Sequence, residues 1–198
     1  MSSNASPKKP ARRRTAKNPR LSREDWLEAT LKFIGQGKVD KLRIEVLAET
    51  LDVTKGSFYW HFKNWGEFVG ALLDYWAAEF TSGVSEVVGK MDGTAEERLF
   101  AVAEIVTRQD RAQFDAAMHW WALKDAKVAK VVARVEAIRL EVVRSLFAEI
   151  GFEGEELEMR TRTFVVFHSF ELSLRKRLSK AERQRHLELR HTMLVGKV

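Results

Sequence analysis

Thr54-Lys55-Gly56-Ser57-Phe58-Tyr59-Trp60-His61-Phe62-Lys63 sets hydroxyl, cationic, aromatic and imidazole side chains on about two and a half turns of expected helix. A helix buried all round has no use for Lys55, Ser57 and His61, and a solvated face has no use for four aromatics. The mixture suits a short helix with one edge in a core and the other against a polar, anionic partner. Phe58 and Phe62, at i and i+4, share the inward edge. Lys55, Ser57, Tyr59, Trp60 and His61 are left largely outward. Gly56 removes a side chain where the helix must come close to that partner.

The preceding residues supply the frame. Residues 43–51 read as a short helix with Ile44, Leu47, Ala48 and Leu51 on one face, Ala48 being small where a second helix must approach. Asp52-Val53-Thr54 is a tight turn: Asp52 tolerates left-handed backbone, Val53 plugs the core and Thr54 is placed to cap. Helix, three-residue turn and helix make a helix-turn-helix, whose second helix is expected to lie in the major groove of DNA. Upstream, Ser22 with Asp25 opens a first helix carried by Trp26, Leu27, Leu31, Phe33 and Ile34, and Gly35-Gln36-Gly37 closes it. No strand precedes those glycines, so they do not read as a phosphate loop.

Leu47-Ala48-Glu49-Thr50-Leu51-Asp52-Val53, followed by Thr-Lys-Gly-Ser-Phe-Tyr-Trp-His-Phe-Lys-Asn, resembles the DNA-binding region of the tetracycline-repressor (TetR) family, over roughly residues 21–75. The 125–152 stretch, DAKVAKVVARVEAIRLEVVRSLFAEIGF, is similar to a regulatory-domain segment of some members. The candidate DNA contacts are Arg43, Thr54, Lys55, Gly56, Ser57, Tyr59, Trp60, His61 and Lys63. Two positions depart from the family pattern. Trp65 stands where a phosphate-contacting lysine is usual, and Arg43 stands where Ser or Thr is common, exchanging a side-chain cap for a cation.

Composition excludes several classes. Of 198 residues, 45% are hydrophobic and 31% charged, as in an ordinary globular protein. With no cysteine there is no disulfide or thiolate metal site. No run of about 18 apolar residues marks a membrane span, and the polar, basic start does not read as a signal peptide; a cytoplasmic, nucleoid-associated protein is expected. The net charge of +6 comes from residues 1–20, where Lys8, Lys9, Arg12, Arg13, Arg14, Lys17 and Arg20 face no acid and give +7, against −1 for the rest. Such an arm either displaces phosphate counterions or simply solubilises the terminus.

Beyond Asn64 the apolar residues Phe68, Leu72, Trp76 and Phe80 repeat every four, marking a helix too long to bury its stripe on three short ones. It must enter a second body. Asp92-Gly93 breaks the chain, Thr94 with Glu97 starts another helix, and one near Asp110 follows. Asp125 then opens about seven turns bearing Val128, Val131, Val132, Val135, Ile138, Val142, Leu146 and Ile150, stopped by Gly151. A helix from about Gly154 carries Phe164, Val165, Phe167, His168 and Leu172 on more than one face, and Ser179 with Glu182 opens the last. The expected fold is all-α, with about nine helices. An N-terminal three-helix helix-turn-helix domain is joined by a long helix to a C-terminal helical bundle for regulation and dimerisation. The segments are a basic arm (1–20), a DNA-binding domain (21–66, motif about 43–62) and a ligand-binding and dimerisation domain (67–198).

A single short recognition helix reads too few bases to select an operator, whereas two copies about 34–36 Å apart on successive major grooves suffice. The resemblance implies a homodimer through about 154–177 and 180–195, a double-stranded operator, and an unidentified small apolar or amphipathic effector that releases a repressor. The candidate effector pocket is Phe100, Phe114, Met118, His119, Trp121, Phe164, Phe167 and His168; plain core packing is the competing reading of each. No cofactor, metal site or catalytic residue is expected. His186 and His191 miss the i, i+4 spacing of a shared metal, and no nucleophile elbow occurs, which argues against an enzyme. An architectural DNA-binding protein without effector is the other alternative.

Overall fold

Ser22 starts α1 (Arg23–Gly35) with the expected capping box. Its Oγ accepts the Asp25 N–H at 3.1 Å, and the Asp25 carboxylate accepts the Ser22 N–H at 2.6 Å. These hydrogen bonds hold Asp25 below the usual carboxylate range. The computed structural model describes residues 21–108, 112–170 and 178–196, and every regular element among them is helical. The basic arm and residues 171–177, the end of the expected dimer segment, lie outside the described residues.

After a 3-10 turn (Val39–Lys41), α2 (Ile44–Thr50) and α3 (Lys55–His61) form the helix-turn-helix. Asp52 takes the left-handed conformation, φ 52°, and the Val53 N–H donates to the Ala48 carbonyl at 2.9 Å, closing the turn. Leu47, Ala48, Phe58 and Phe62 are buried against Trp26 and Ile34 of α1. The Trp26 and Phe58 rings meet edge to face, their centroids 5.6 Å apart.

Asn64 caps α4 (Trp65–Ala77), its Oδ1 accepting the Glu67 N–H at 2.9 Å. The helix continues through a π turn (Ala78–Ser82) into α5 (Gly83–Gly89), so the long helix expected from the sequence is one rod with a one-residue insertion. There follow α6 (Ala95–Arg108), α7 (Ala112–Ala122), α8 (Ala126–Ile150), α9 (Gly154–Phe170) and α10 (Lys180–Val195). Counting α4 to α5 as one rod, nine α-helices stand among the described residues. The starts and stops are the expected ones: Thr94 with Glu97, Asp125 for α8, Ser179 with Glu182, and Gly151 at φ 109°.

One stripe differs. Val128, Val132, Val135, Val143 and Leu146 of α8 are buried, whereas Ile138, placed on that stripe by its spacing, is 39% exposed. The neighbouring Arg139, four residues from both Val135 and Val143, occupies the inward register instead. It has a buried carboxylate to meet there.

Two hydrophobic cores result. The first runs without a break from Trp26, Leu47 and Phe58 through Leu72 and Trp76 to Met118, Val128, Val132 and Val135. By packing, then, the helix-turn-helix continues past residue 66 into α7 and the first half of α8. Gly35 lies so close to α7 that a Cβ there would sit 2.9 Å from the Phe114 ring. The exposed Lys124–Asp40 pair, at 2.6 Å, ties the same two regions. The second core gathers Val88, Leu99, Val102, Val143, Phe147, Phe164 and Leu187 from α5, α6, α8, α9 and α10.

Candidate functional site

The exposed edge of α3 is apolar where an isolated domain has no reason to make it so. Trp60 is 83% and Tyr59 59% exposed, while Phe58 and Phe62 on the opposite edge are 0% and 1% exposed. Thr54 takes the N-cap position without a side-chain capping hydrogen bond, which leaves its hydroxyl outward. At Gly56 an added Cβ would meet only the Thr54 hydroxyl, at an ordinary 3.5 Å. Glycine costs a helix about 0.5–1 kcal/mol relative to alanine, and nothing inside the fold calls for it here. Ser57 and His61 are half-buried beside this edge.

The cations around it differ in what holds them. Lys55 Nζ donates to Glu45 Oε1 of α2 at 2.7 Å, and that bond holds Glu45 below its ordinary carboxylate range. Arg43 is exposed at the N-cap of α2 and makes no capping hydrogen bond. The exposed Lys63 has its backbone N–H on Glu67 Oε2 at 3.0 Å; this bond first, and then Arg23, keeps Glu67 low. Arg23 in turn lies 4.8 Å over the Phe62 ring, so the start of α1 is tied to the end of α3. Trp65 is half-buried against Phe68, its ring centroid at 5.2 Å, and has become part of the first core's rim.

A cavity of about 60 Å³ lies at the seam between the two cores. Val102, Val106, Val142, Val143, Phe164 and Val165 give it an apolar side; Thr81, Ser85, Asp115, Arg139, His168 and Ser169 give it a polar one. Asp115 of α7, 2% exposed, is chelated by Arg139 of α8 through Nη1 at 2.8 Å and Nη2 at 3.1 Å. Its Oδ1 also accepts the Trp76 indole N–H at 3.1 Å, and Arg139 Nε donates to the Thr81 hydroxyl at 3.0 Å. One ion pair thereby ties α4, the π turn, α7 and α8. His168 donates from Nδ1 to the Phe164 carbonyl, 2.7 Å away, and accepts an Arg190 N–H at Nε2, 3.2 Å. Burial, then the Arg190 charge, pushes its pKa down to about 3, so the ring is neutral.

The eight aromatic, histidine and methionine residues named as a pocket do not converge. Phe164 and His168 line the cavity. Phe114 packs on Gly35, and Met118 is wholly inside the first core. His119 turns one ring nitrogen to the Asp115 carbonyl and the other to the Glu136 carboxylate. Phe100 packs on His191, and Phe167 on Arg190 and His168. Trp121 borders a separate cleft with Trp65 and Gly70. Asp115, Arg139, Thr81, Ser85 and Ser169 were missed. The available signal was a charged residue on each of two apolar stripes, in α7 and α8.

No family model matches the chain. Two curated regulators, the HTH-type transcriptional regulator TtgR and the probable HTH-type transcriptional regulator ArpR, both of Pseudomonas putida, are each 37% identical over 62 residues, 31% of this chain. The match spans 30% of the length of each relative. Among solved structures, reduced NemR from E. coli superposes with a TM-score of 0.68 at 14% identity, over 87% of this chain and 95% of that one. AibR in complex with isovaleryl coenzyme A and operator DNA gives 0.67 at 16% identity, over 89% and 99%. A bacterial regulatory protein in the TetR family from Rhodococcus RHA1 gives 0.64 at 15%, over 87% and 96%. The chain has the fold of the TetR-family transcriptional regulators.

Proposed function

We propose that the protein is a sequence-specific, DNA-binding transcriptional regulator, a repressor that binds a palindromic operator as a homodimer and leaves it when a small molecule enters the seam cavity. The observation that carries this reading is the edge of α3, where Tyr59, Trp60, the Thr54 hydroxyl and a bare Gly56 stand together outside the fold. Arg43, Lys55, Lys63, the Thr54, Ser57 and Tyr59 hydroxyls and the His61 ring hold phosphates; Trp60 presses on sugar or a thymine methyl. The second copy docks on α9 and α10, where Met159, Val166, Leu189 and Met193 are 57–71% exposed. These fall within the segments 154–177 and 180–195, and they give α9 a second apolar face opposite its buried one. No described helix is long and apolar enough to cross a membrane; we place the protein in the cytoplasm, on the nucleoid, and give it no enzymatic role.

Effector entry acts on the ion pair that joins the two cores. A coupling of about 1–3 kcal/mol changes DNA affinity roughly 5- to 150-fold. AibR was solved with an acyl coenzyme A and operator DNA. The cavity here, about 60 Å³, is well below the roughly 300–1,000 Å³ of a drug-sized site, so a ligand of that size would have to part the walls.

The test is selection of bound fragments from random DNA, followed by affinity measurements at several salt concentrations. The recovered site should be a palindrome with half-sites about 34–36 Å apart. Lys55→Ala should weaken binding and lower the salt slope by about 1, and Tyr59→Phe should weaken it with the fold intact. Equal affinity for selected and random DNA would favour an architectural protein instead.

A further inference from the structure

The cavity's polar side holds an ion pair that is already closed and a hydroxyl that is not. Asp115 and Arg139 satisfy each other bidentately, and they also bond Trp76 and Thr81. An ion entering beside a matched pair meets attraction from one partner and repulsion from the other, and these largely cancel. Its own desolvation is left without compensation. His168 offers no help, since both its nitrogens are engaged. Ser169 is different: it is 5% exposed and lines the cavity, yet its hydroxyl finds no hydrogen-bond partner among the described residues. Its oxygen is free to bond a molecule in the cavity. Ser85 of α5, which also lines the cavity, makes no hydrogen bond there either.

We infer that this cavity takes an uncharged, compact amphipathic molecule, an alcohol, ketone or amide, whose one polar group bonds Ser169 and Ser85 while its carbon skeleton lies on Val102, Val106, Val142 and Phe164. About 60 Å³ holds some four to six water-sized groups, which limits the ligand to a handful of non-hydrogen atoms unless the walls move. The π turn contributes Thr81 to the cavity wall, its hydroxyl accepting from Arg139 Nε. This identification of the ligand rests on the effector reading above.

The experiment uses the full chain and one carbon skeleton with four head groups: 1-pentanol, pentanamide, pentanoate and pentylammonium, at pH 7. Saturable binding is read by protein-observed NMR without DNA. The alcohol and amide should bind at least tenfold more tightly than either ion. Ser169→Ala, which removes one oxygen and should leave the thermal midpoint nearly unchanged, should weaken the alcohol about 3- to 10-fold. Val106→Phe, which fills the cavity from its half-buried wall, should abolish binding of all four. An ion binding as tightly as the alcohol, an alcohol affinity indifferent to Ser169→Ala, or no saturable binding by any of the four would each overturn the inference. Operator release is measured separately. Uncharged ligands that bind the cavity without moving DNA affinity would defeat the effector reading and leave the ligand class standing. An ion that releases DNA, with release lost in Val106→Phe, would do the reverse.

Discussion

The first core is seamless where the chain changes domain, and the second begins where the chain does not. Trp26, Phe58, Trp76, Met118 and Val135 belong to one apolar mass, although they come from the helix-turn-helix, the connecting helix, α7 and α8. Within α8, Val135 lies in the first core and Val143 in the second, with Arg139 between them. The unit that carries the recognition helix is therefore larger than three helices. Its boundary is the layer of Trp76, Asp115, Arg139 and Thr81, joined by hydrogen bonds beside the seam cavity. Close-packed cores transmit displacement, and polar layers offer discrete alternatives. On the proposed reading, a ligand in the cavity would act on the helix-turn-helix together with α7 and half of α8, because these share one core.

The largest effect should come from breaking this layer. Arg139→Met leaves the Asp115 carboxylate, with 3% of its side chain exposed, without its cation, and should destabilise by about 3–5 kcal/mol in urea unfolding. Adding Asp115→Asn removes the orphan charge and keeps an acceptor for the Trp76 indole, so the double variant should recover most of the loss. If the layer serves switching rather than stability, the double variant will be well folded yet deaf to any effector. A double variant as unstable as the single one would mean that the pair holds the two cores together.

Acid should separate the two regions next. The His168 pKa is about 3 in the folded chain against an ordinary 6.5, so the unfolded chain takes up the proton first and stability falls as pH drops below about 6.5. Between pH 7 and pH 5.5 that loss is about 1 kcal/mol, at a pH above the range in which ordinary carboxylates titrate. His191 contributes in the same direction, since burial lowers its pKa as well. His168→Gln should remove the larger part of the acid sensitivity between those two pH values. An undiminished slope would show that the ring is not held neutral.

The two functional regions were unequally legible in the sequence. The recognition helix could be read because its roles are local: Phe58 and Phe62 are one turn apart, Asp52 sits in a three-residue turn, and each cap lies within three residues of its partner. The cavity could not, because it is assembled from six elements. Large apolar side chains were the natural candidates for a pocket, but their volume is what fills cores, and Phe114 and Met118 went there. The polar residues that matter are small or look like errors of pattern. Arg139 interrupts a valine stripe, and reading the regular spacing through Ile138 passed over it. The connecting helix was visible, but its π turn was not, since no residue in Ala78–Ser82 forbids an ordinary α turn.

The smallest effect bears on the DNA end alone. In the free chain Lys55 is held by Glu45, an exposed pair at 2.7 Å, so a phosphate must compete with a carboxylate for the same ammonium group. Glu45→Ala should release Lys55 and remove a negative charge facing the backbone. It should tighten binding to the selected operator by about 3- to 10-fold at low salt, with the gain shrinking as salt screens it. Thermal stability should barely change, because exposed pairs of this kind contribute little. In a double-variant cycle with Lys55→Ala the gain should vanish, and fluorescence anisotropy on labelled operator can follow all four proteins. If Glu45→Ala weakens binding instead, the carboxylate is a brace that aims Lys55 at its phosphate. The recognition edge would then extend back into α2, a residue set that the motif by itself does not reveal.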